Sequence, residues 1–301
     1  MAIETVAIMS PGDMGHAVGR LLREHELRVI TCLAGRSPRT RALSEEAGIV
    51  DVPTLEELVT QSDVLLSMTV SEAVPGLCQN IADAVRATNA DLLFAECNAI
   101  APQATLRMEP ILTSAGARFV DAGIIGGPPR DGYSPCFYAS GEHAGELEEL
   151  GKFGLDVRVM GDKIGQASGI KMCYAAMTKG SSALYSELLL AAELLGLSDQ
   201  LKAQFQESQP SVLQRMERGL PGVPAKARRW VSEMQEIEAT FAGVGLTPYI
   251  FRGVTDMYRL IGDSPLGEET PENKDRERTL EETIRVIADS VRNQTGRGDA
   301  P

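Results

Sequence analysis

Residues 9–19 read "MSPGDMGHAVG" and stand between a short apolar run at 6–8 and the segment "RLLREHEL". The apolar run is typical of a buried strand, and the segment after the glycines is typical of a helix. A glycine-rich turn that joins a strand to a helix predicts a binding site for a dinucleotide pyrophosphate. The usual pattern for such a turn is G-x-G-x-x-G. In this chain Gly12 and Gly15 occupy the second and third glycine positions, and Ser10 stands at the first. We interpret this stretch as a working dinucleotide turn.

Each position of this turn has a physical task. The lack of a side chain at Gly12 lets a phosphate approach the backbone, and the lack of one at Gly15 lets the helix pack closely on the strand. The helix, expected to begin at Met14, offers unpaired N–H groups and the positive end of its dipole to the phosphate. The residues expected to contact the cofactor here are Ser10, Gly12, Asp13, Met14 and Gly15.

The end of the second predicted strand, "CLAGRSPRTR" at 32–41, bears on the choice of cofactor. NAD-binding proteins usually place a carboxylate there on the ribose 2′-hydroxyl, and this chain has none before Glu45. It has Arg36, Ser37 and Arg39 instead, and guanidinium and hydroxyl groups suit a 2′-phosphate. The segment favours NADP, with NAD possible. The alternative is a solvated basic turn that opens a helix.

Two patterns divide the chain. From residue 4 to about 159, short β-branched runs alternate with helical segments, which predicts βαβ units and a mostly parallel, doubly wound sheet. After Gly165 the strand pattern stops, and 170–196 reads as one long helix that is apolar nearly all round. Further helices are expected near 198–216, 226–243, 248–262 and 278–294, and the last six residues, "GRGDAP", as a frayed tail.

These patterns predict an α/β protein in which a long interdomain helix joins an N-terminal Rossmann domain to an all-α C-terminal domain. The expected boundaries are 1–165 for the NAD(P)-binding domain and 166–301 for a helical domain that serves substrate binding and dimerisation.

Composition excludes several classes of function. A formal net charge of −13 argues against nucleic-acid partners and anionic membrane surfaces. Five scattered cysteines without a C-x-x-C pair and three dispersed histidines argue against a metal site. The N-terminus lacks the basic segment of a signal peptide, so we expect a cytoplasmic protein with reduced thiols.

The stretches "MSPGDMG", "SDVLLSMTV", "AECNAIAPQ" and "VDAGIIGGPPRDG" follow one another in this order, and "GQASGIKMCYAAMTKG" comes after them. In this arrangement the chain resembles the β-hydroxyacid dehydrogenase superfamily of 3-hydroxyisobutyrate and 6-phosphogluconate dehydrogenases, over about residues 1–200. The C-terminal part is similar to a helical domain of an uncharacterised branch. The resemblance implies an NAD(P)-dependent dehydrogenase that acts on a small hydroxy or keto compound.

The resemblance also implies roles for particular residues. The strand end that lines the family's cofactor falls on Met68, Thr69 and Val70. The serine of the family's Asp-x-Ser-Thr segment falls on Asn98. The resemblance implies that Asn98 contacts both the cofactor and the substrate. The family's substrate-binding Ser-Gly-Gly and catalytic lysine fall on Ile125, Gly126, Gly127 and Lys171.

Helical periodicity also singles out Lys171. It shares one face with Tyr174 and Thr178, a polar stripe on an otherwise apolar helix. A desolvated lysine holds its proton less tightly, which suits the proton transfer that accompanies hydride transfer. We expect Lys171 to be the general acid/base, with Tyr174 and Thr178 at the substrate. The alternative is a lysine that reaches into solvent.

Departures from the family pattern leave the substrate open. The asparagine usual one turn after the lysine is absent, and Ile125 replaces a serine that helps to hold the substrate carboxylate. A larger, more apolar substrate than 3-hydroxyisobutyrate is therefore expected. Other readings are an imine reductase, which often lacks the lysine, a decarboxylating enzyme, and a non-catalytic NADP(H)-binding sensor.

A homodimer is expected from the long helix. A helix this apolar needs cover on all sides, and about a hundred residues of helical domain cannot supply all of it. Members of the resembled family bury such surfaces between two copies.

Overall fold

The computed structural model describes residues 3–130 and 132–296. The chain forms two compact units, Met1–Tyr174 and Ala175–Pro301. The units meet between Tyr174 and Ala175, inside a long helix that begins at Gln166. The domain boundary expected from the sequence, at 165, falls directly before the start of this helix.

The first unit is built on an eight-stranded sheet in the order β3-β2-β1-β4-β5-β6-β7-β8. The strands are β1 (Thr5–Met9), β2 (Arg28–Thr31), β3 (Val50–Asp51), β4 (Val64–Ser67), β5 (Leu93–Glu96), β6 (Arg118–Ile125), β7 (Cys136–Ser140) and β8 (Asp156–Gly161). All neighbours are parallel except β6 and β7. This confirms the predicted Rossmann-type sheet. Because β1 pairs with both β2 and β4, the crossovers diverge at its carboxyl end, where ligands bind in such sheets.

Helices cover both faces of this sheet. They are α1 (Asp13–Glu24), α2 (Pro38–Glu46), α3 (Leu55–Gln61), α4 (Val74–Thr88), α5 (Pro102–Thr113) and α6 (Ala144–Leu147). Along β1, Val6 and Ile8 belong to one core cluster and Ala7 and Met9 to the other. The strand is buried on both faces, as its continuous apolar sequence predicts.

The sequence pattern missed β3 and β8. The first has only two residues, which is too short for a periodic signal. The second lies at the edge of the sheet, where partly exposed residues reduce the need for an apolar run.

The second unit is helical. The helix α7 (Gln166–Leu194) enters it and is followed by α8 (Ser198–Ser208), α9 (Pro210–Gly219), α10 (Pro224–Gly243), α11 (Tyr249–Asp263) and α12 (Leu280–Thr295). The single helix expected at 198–216 is wrong, because Pro210 lacks an N–H donor and starts a new helix. Residues 297–301 of the expected frayed tail lie outside the described residues.

Tyr258 lies at the centre of the second unit. Its side chain is fully buried and its hydroxyl donates to the carbonyl oxygen of Lys179 at 2.6 Å. The ring meets Trp230 edge-on, 5.2 Å between centroids, and the Lys179 ammonium pairs with Glu233.

Within the described part of the chain, no helix has the length and apolarity that crossing a bilayer requires.

Candidate active site

The glycine turn joins β1 to α1 over residues 10–12. The first helical residue is Asp13, one earlier than expected, and Gly12 is the N-cap, with no side chain capping the helix. A Cβ at Gly15 would lie 2.5 Å from the carbonyl oxygen of Ser10, so only glycine allows this approach. A Cβ at Gly12 would have no atom within 4 Å. The uncapped helix start with open space before it therefore fits a pyrophosphate.

A cavity of about 380 Å³ lies at the carboxyl ends of β1, β2 and β4. Its lining includes Met9, Gly35, Arg36 and Thr69. This is the position that the adenosine half of a dinucleotide takes beside the glycine turn of such a sheet. The turn and the cavity together fit the expected cofactor.

The three polar residues proposed for the 2′-phosphate have different surroundings. The Ser37 hydroxyl caps α2 and accepts from the Thr40 N–H at 3.2 Å. The Arg39 guanidinium pairs with Asp13. The Arg36 side chain lines the cavity and makes no hydrogen bond or ion pair within residues 3–130 and 132–296. Arg36 is thus the best placed of the three to bind a phosphate.

Asn98 ties together the ends of β4 and β5. Its side-chain amide donates to the Ser67 hydroxyl at 2.7 Å and to Glu96 Oε1 at 2.5 Å, and its oxygen accepts from the Thr69 N–H. The residue is 4% exposed. Both of its side-chain N–H donors are thus used inside the protein, and its oxygen holds the N–H of Thr69. Of the other two residues on this segment, Met68 packs on the core and Val70 is exposed.

Lys171 lies at the same edge of the sheet. Its side chain is partly buried, and Nζ donates to the carbonyl oxygen of Cys97, directly after β5, at 3.1 Å. A Cβ at Gly123 would lie 2.3 Å from the carbonyl oxygen of Ala167 and 3.2 Å from Lys171 Cβ. A glycine on β6 therefore brings α7 close to the sheet, and α7 holds Lys171 beside the end of β5.

The start of α7 is fixed by Asp121, a fully buried residue on β6. Its Oδ2 accepts from the N–H groups of Gly165 (2.8 Å) and Ser168 (3.1 Å) and from the Ser140 hydroxyl (3.1 Å). Its Oδ1 accepts from the Ser168 hydroxyl. One carboxylate thus satisfies backbone donors that a helix start leaves unpaired.

The expected substrate loop follows the same strand. Side chains on one strand alternate between faces, so Ile125 lies on the face of β6 where Gly123 meets Lys171. Gly127 donates its N–H to the Tyr133 hydroxyl at 3.2 Å, and Gly126 has φ +132°. A Cβ at Gly126 would lie 2.2 Å from that hydroxyl oxygen.

Sequence reasoning missed Tyr133. It is 39% exposed, with the Arg130 guanidinium 5.4 Å from its ring centroid. The tyrosine hydroxyl accepts from the Gly127 N–H, so this backbone donor is used within the protein. Its position after "GGPPRDG" carries no motif that signals this contact.

The two remaining predicted substrate residues lie further along α7. Tyr174 is 54% exposed at the end of the first unit, and Thr178 is exposed within the second. The structure therefore places Lys171 on the face of β6 that carries Ile125, with its Nζ bonded to the end of β5. The described residues hold no cluster of three or more histidine, cysteine or acidic side chains suited to a metal ion.

Residues 5–169 match the family model of the NAD binding domain of 6-phosphogluconate dehydrogenase. The chain belongs to this family. Residues 192–261, in the helical part, match a domain of unknown function, DUF1932.

Several solved structures are similar to this chain over most of its length. A conserved protein of unknown function, MTH1747, described as structurally similar to 3-hydroxyacid dehydrogenases, is 28% identical with a TM-score of 0.63, covering 86% of this chain and 99% of its own. The 3-hydroxyisobutyrate dehydrogenase of Mycobacterium tuberculosis with L-serine is 18% identical with a TM-score of 0.64, covering 96% and 99%. An imine reductase from Myxococcus stipitatus in complex with NADP⁺ is 18% identical with a TM-score of 0.53, covering 94% and 99%. At 18% identity these last two show the shared fold.

Proposed function

We propose that this protein is an NADP-preferring oxidoreductase that oxidises a hydroxyl group or reduces the matching carbonyl, with Lys171 as general acid/base. The observation that carries the proposal is the position of Lys171 at the end of β5, at the same carboxyl edge as the glycine turn and the cavity. A bound nicotinamide would supply or accept the hydride.

The chain's own residues would manage the proton. Lys171, anchored on the Cys97 carbonyl, takes the hydroxyl proton during oxidation and returns it during reduction. Ile125 presents an apolar side chain on the face of β6 that meets the lysine. Lys171 also favours hydroxyl chemistry over an imine reductase, and an acid/base group is not needed by a sensor that only binds the cofactor.

The substrate is proposed to be a hydroxy or keto compound with an apolar or aromatic part. Ile125 removes a hydroxyl that could bind a carboxylate, a hydrogen bond to a charged group worth about 1.5–3 kcal/mol. The proposal is tested by kcat/KM with NADP for 3-hydroxyisobutyrate against larger alkyl- and aryl-bearing β-hydroxy compounds, with imines as a separate arm.

We expect the larger hydroxy compounds to react best and Ile125→Ser to improve the small acid by about tenfold. The highest kcat/KM on the smallest acid would refute the substrate proposal, and turnover of imines alone would refute the reaction. Leu106→Ser, on the exposed part of α5, is the matched control.

Cofactor preference is expected to depend on Arg36. NADPH should bind at least about tenfold tighter than NADH, or about 1.4 kcal/mol, because the guanidinium can pair with the 2′-phosphate. Arg36→Ala should remove most of that difference in a fluorescence titration. Arg28→Ala, at the opposite end of β2, should leave it intact. Equal affinities in the unsubstituted protein would contradict NADP preference.

A homodimer is proposed from exposed apolar residues of the second unit. Met177 and Leu184 on α7 are 65% and 58% exposed, and Ile250 on α11 is 64% exposed. We expect light scattering to give twice the chain mass of 32.3 kDa at micromolar concentration. Leu184→Glu should shift the mass toward the monomer, whereas Leu106→Glu in the first unit should not. A monomeric unsubstituted protein would contradict the proposal.

A further inference from the structure

A row of polar side chains crosses the carboxyl edge of the sheet. Ser67, Glu96 and Asp121 are register partners on β4, β5 and β6, and each is at most 1% exposed. Burying carboxylates here is costly unless each oxygen finds a donor. The two carboxylates of this row differ in that respect.

Both oxygens of the Asp121 carboxylate accept hydrogen bonds, from two backbone N–H groups and two hydroxyls in total. In Glu96 only one of the two carboxylate oxygens does so. Its Oε1 accepts from the Asn98 backbone at 2.9 Å and the Asn98 amide at 2.5 Å. Its Oε2 is shielded from solvent and has no hydrogen-bond partner among the described residues. A proton on the carboxyl would remove the cost of a buried charge with an unpaired oxygen.

The groups around Glu96 come from four elements. Lys171 faces it from α7, Cys78 from α4 and Asp121 from the neighbouring strand, while Cys97 follows it in the chain. Burial raises the pKa of both thiols, so they carry no charge near neutral pH. Burial raises the pKa of Glu96 to about 7, although hydrogen bonds from Asn98 and Ser67 and the charge of Lys171 act against the rise. Among these groups, Lys171 is the cation whose charge interacts with Glu96.

We propose that Glu96 is a positioning residue that sets the protonation state of Lys171. When Glu96 is ionised, its negative charge favours the ammonium form of the lysine. When Glu96 takes up a proton, the amine form is favoured. The inference rests on the proposed role of Lys171 as general acid/base.

The geometry supports a direct influence. Lys171 Nζ donates a hydrogen bond to the carbonyl oxygen of Cys97. Cys97 directly follows Glu96 in the chain, so this bond ties the lysine to the backbone beside Glu96. Glu96 is buried, so the interaction between its charge and that of Lys171 is weakly screened by solvent. Replacing Glu96 by the isosteric glutamine removes the charge and keeps an oxygen for Asn98.

The test is the titration of Lys171 itself. Lysines are labelled by reductive ¹³C-methylation, and the Lys171 signal is assigned by its loss in Lys171→Arg. In Glu96→Gln, Lys171 should lose its proton at a pH at least about one unit lower, a tenfold weaker proton affinity. Glu142→Gln, which removes an exposed carboxylate, should leave the titration unchanged. An unchanged Lys171 titration in Glu96→Gln would overturn the inference.

A second measurement covers the case in which Glu96→Gln does not fold. In the unsubstituted protein, infrared difference spectra should show a buried carboxyl that loses its proton around neutral pH, with a matching inflection in the Lys171 signal. The absence of that inflection would also overturn the inference. Both measurements use the protein without substrate or turnover, so they can fail while the proposed reaction stands, and the reverse.

Discussion

Lys171→Met is expected to lower turnover by about 10²–10⁴-fold, because the substitution removes the group that exchanges the hydroxyl proton. Methionine has a similar length and keeps the apolar contacts of the side chain, so α7 should stay in place. The glycine turn and the cavity do not involve Lys171. NADPH affinity in a fluorescence titration should therefore change little.

The measurement is kcat and KM for the best substrate of the panel, over a range of pH. Lys163→Met is the matched control, since Lys163 is an exposed lysine just before α7. Turnover equal to that of the control would assign proton transfer to another group. Tyr174, three residues further along α7, would then be examined next.

The sheet could be predicted from the sequence because its strands are buried on both faces. A run such as Val64–Leu66 is apolar because neither face meets water, and such runs separated by helical segments specify a parallel sheet. The match over 5–169 and the topology confirm this prediction. The edge strand β8 was not predicted, because its residues are partly exposed and need not be apolar.

The glycine turn between β1 and α1 could also be predicted, because glycine permits close approaches that other residues do not. Gly15 had to be glycine for α1 to approach Ser10, and that requirement survives in the sequence as a motif. Gly123 meets an equally strict requirement beneath α7, but a single glycine within a strand does not tell a bulge from a bend or from the close approach of another segment.

The polar interior of the site could not be predicted, because it depends on which strands lie side by side. Glu96 and Asp121 are 25 residues apart in sequence, and only their register on β5 and β6 makes them neighbours. The contacts of Asn98 could not be predicted for the same reason. Its amide is directed at Ser67, Glu96 and Thr69, contacts that a linear alignment does not reveal.

Asp121→Ala is expected to destabilise the first unit by about 3–5 kcal/mol, since it removes the acceptor of four hydrogen bonds in a site that water does not reach. The N–H groups of Gly165 and Ser168 and the hydroxyls of Ser140 and Ser168 would lose this acceptor. Asp121→Asn keeps an acceptor oxygen and should cost less. The order aspartate, asparagine, alanine is the expected ranking of stability.

The measurement must report on the first unit, because the single tryptophan, Trp230, lies in the second. Hydrogen–deuterium exchange over 162–174 meets this need. Loss of the Asp121 acceptor should speed exchange at Gly165 and Ser168 by about two orders of magnitude or more, because each 1.4 kcal/mol changes the opening equilibrium tenfold. Asp162→Asn, at an exposed carboxylate just before the helix, should leave exchange unchanged. If exchange in Asp121→Ala matched this control, the start of α7 would be held by packing against Gly123, and the carboxylate would not be its anchor.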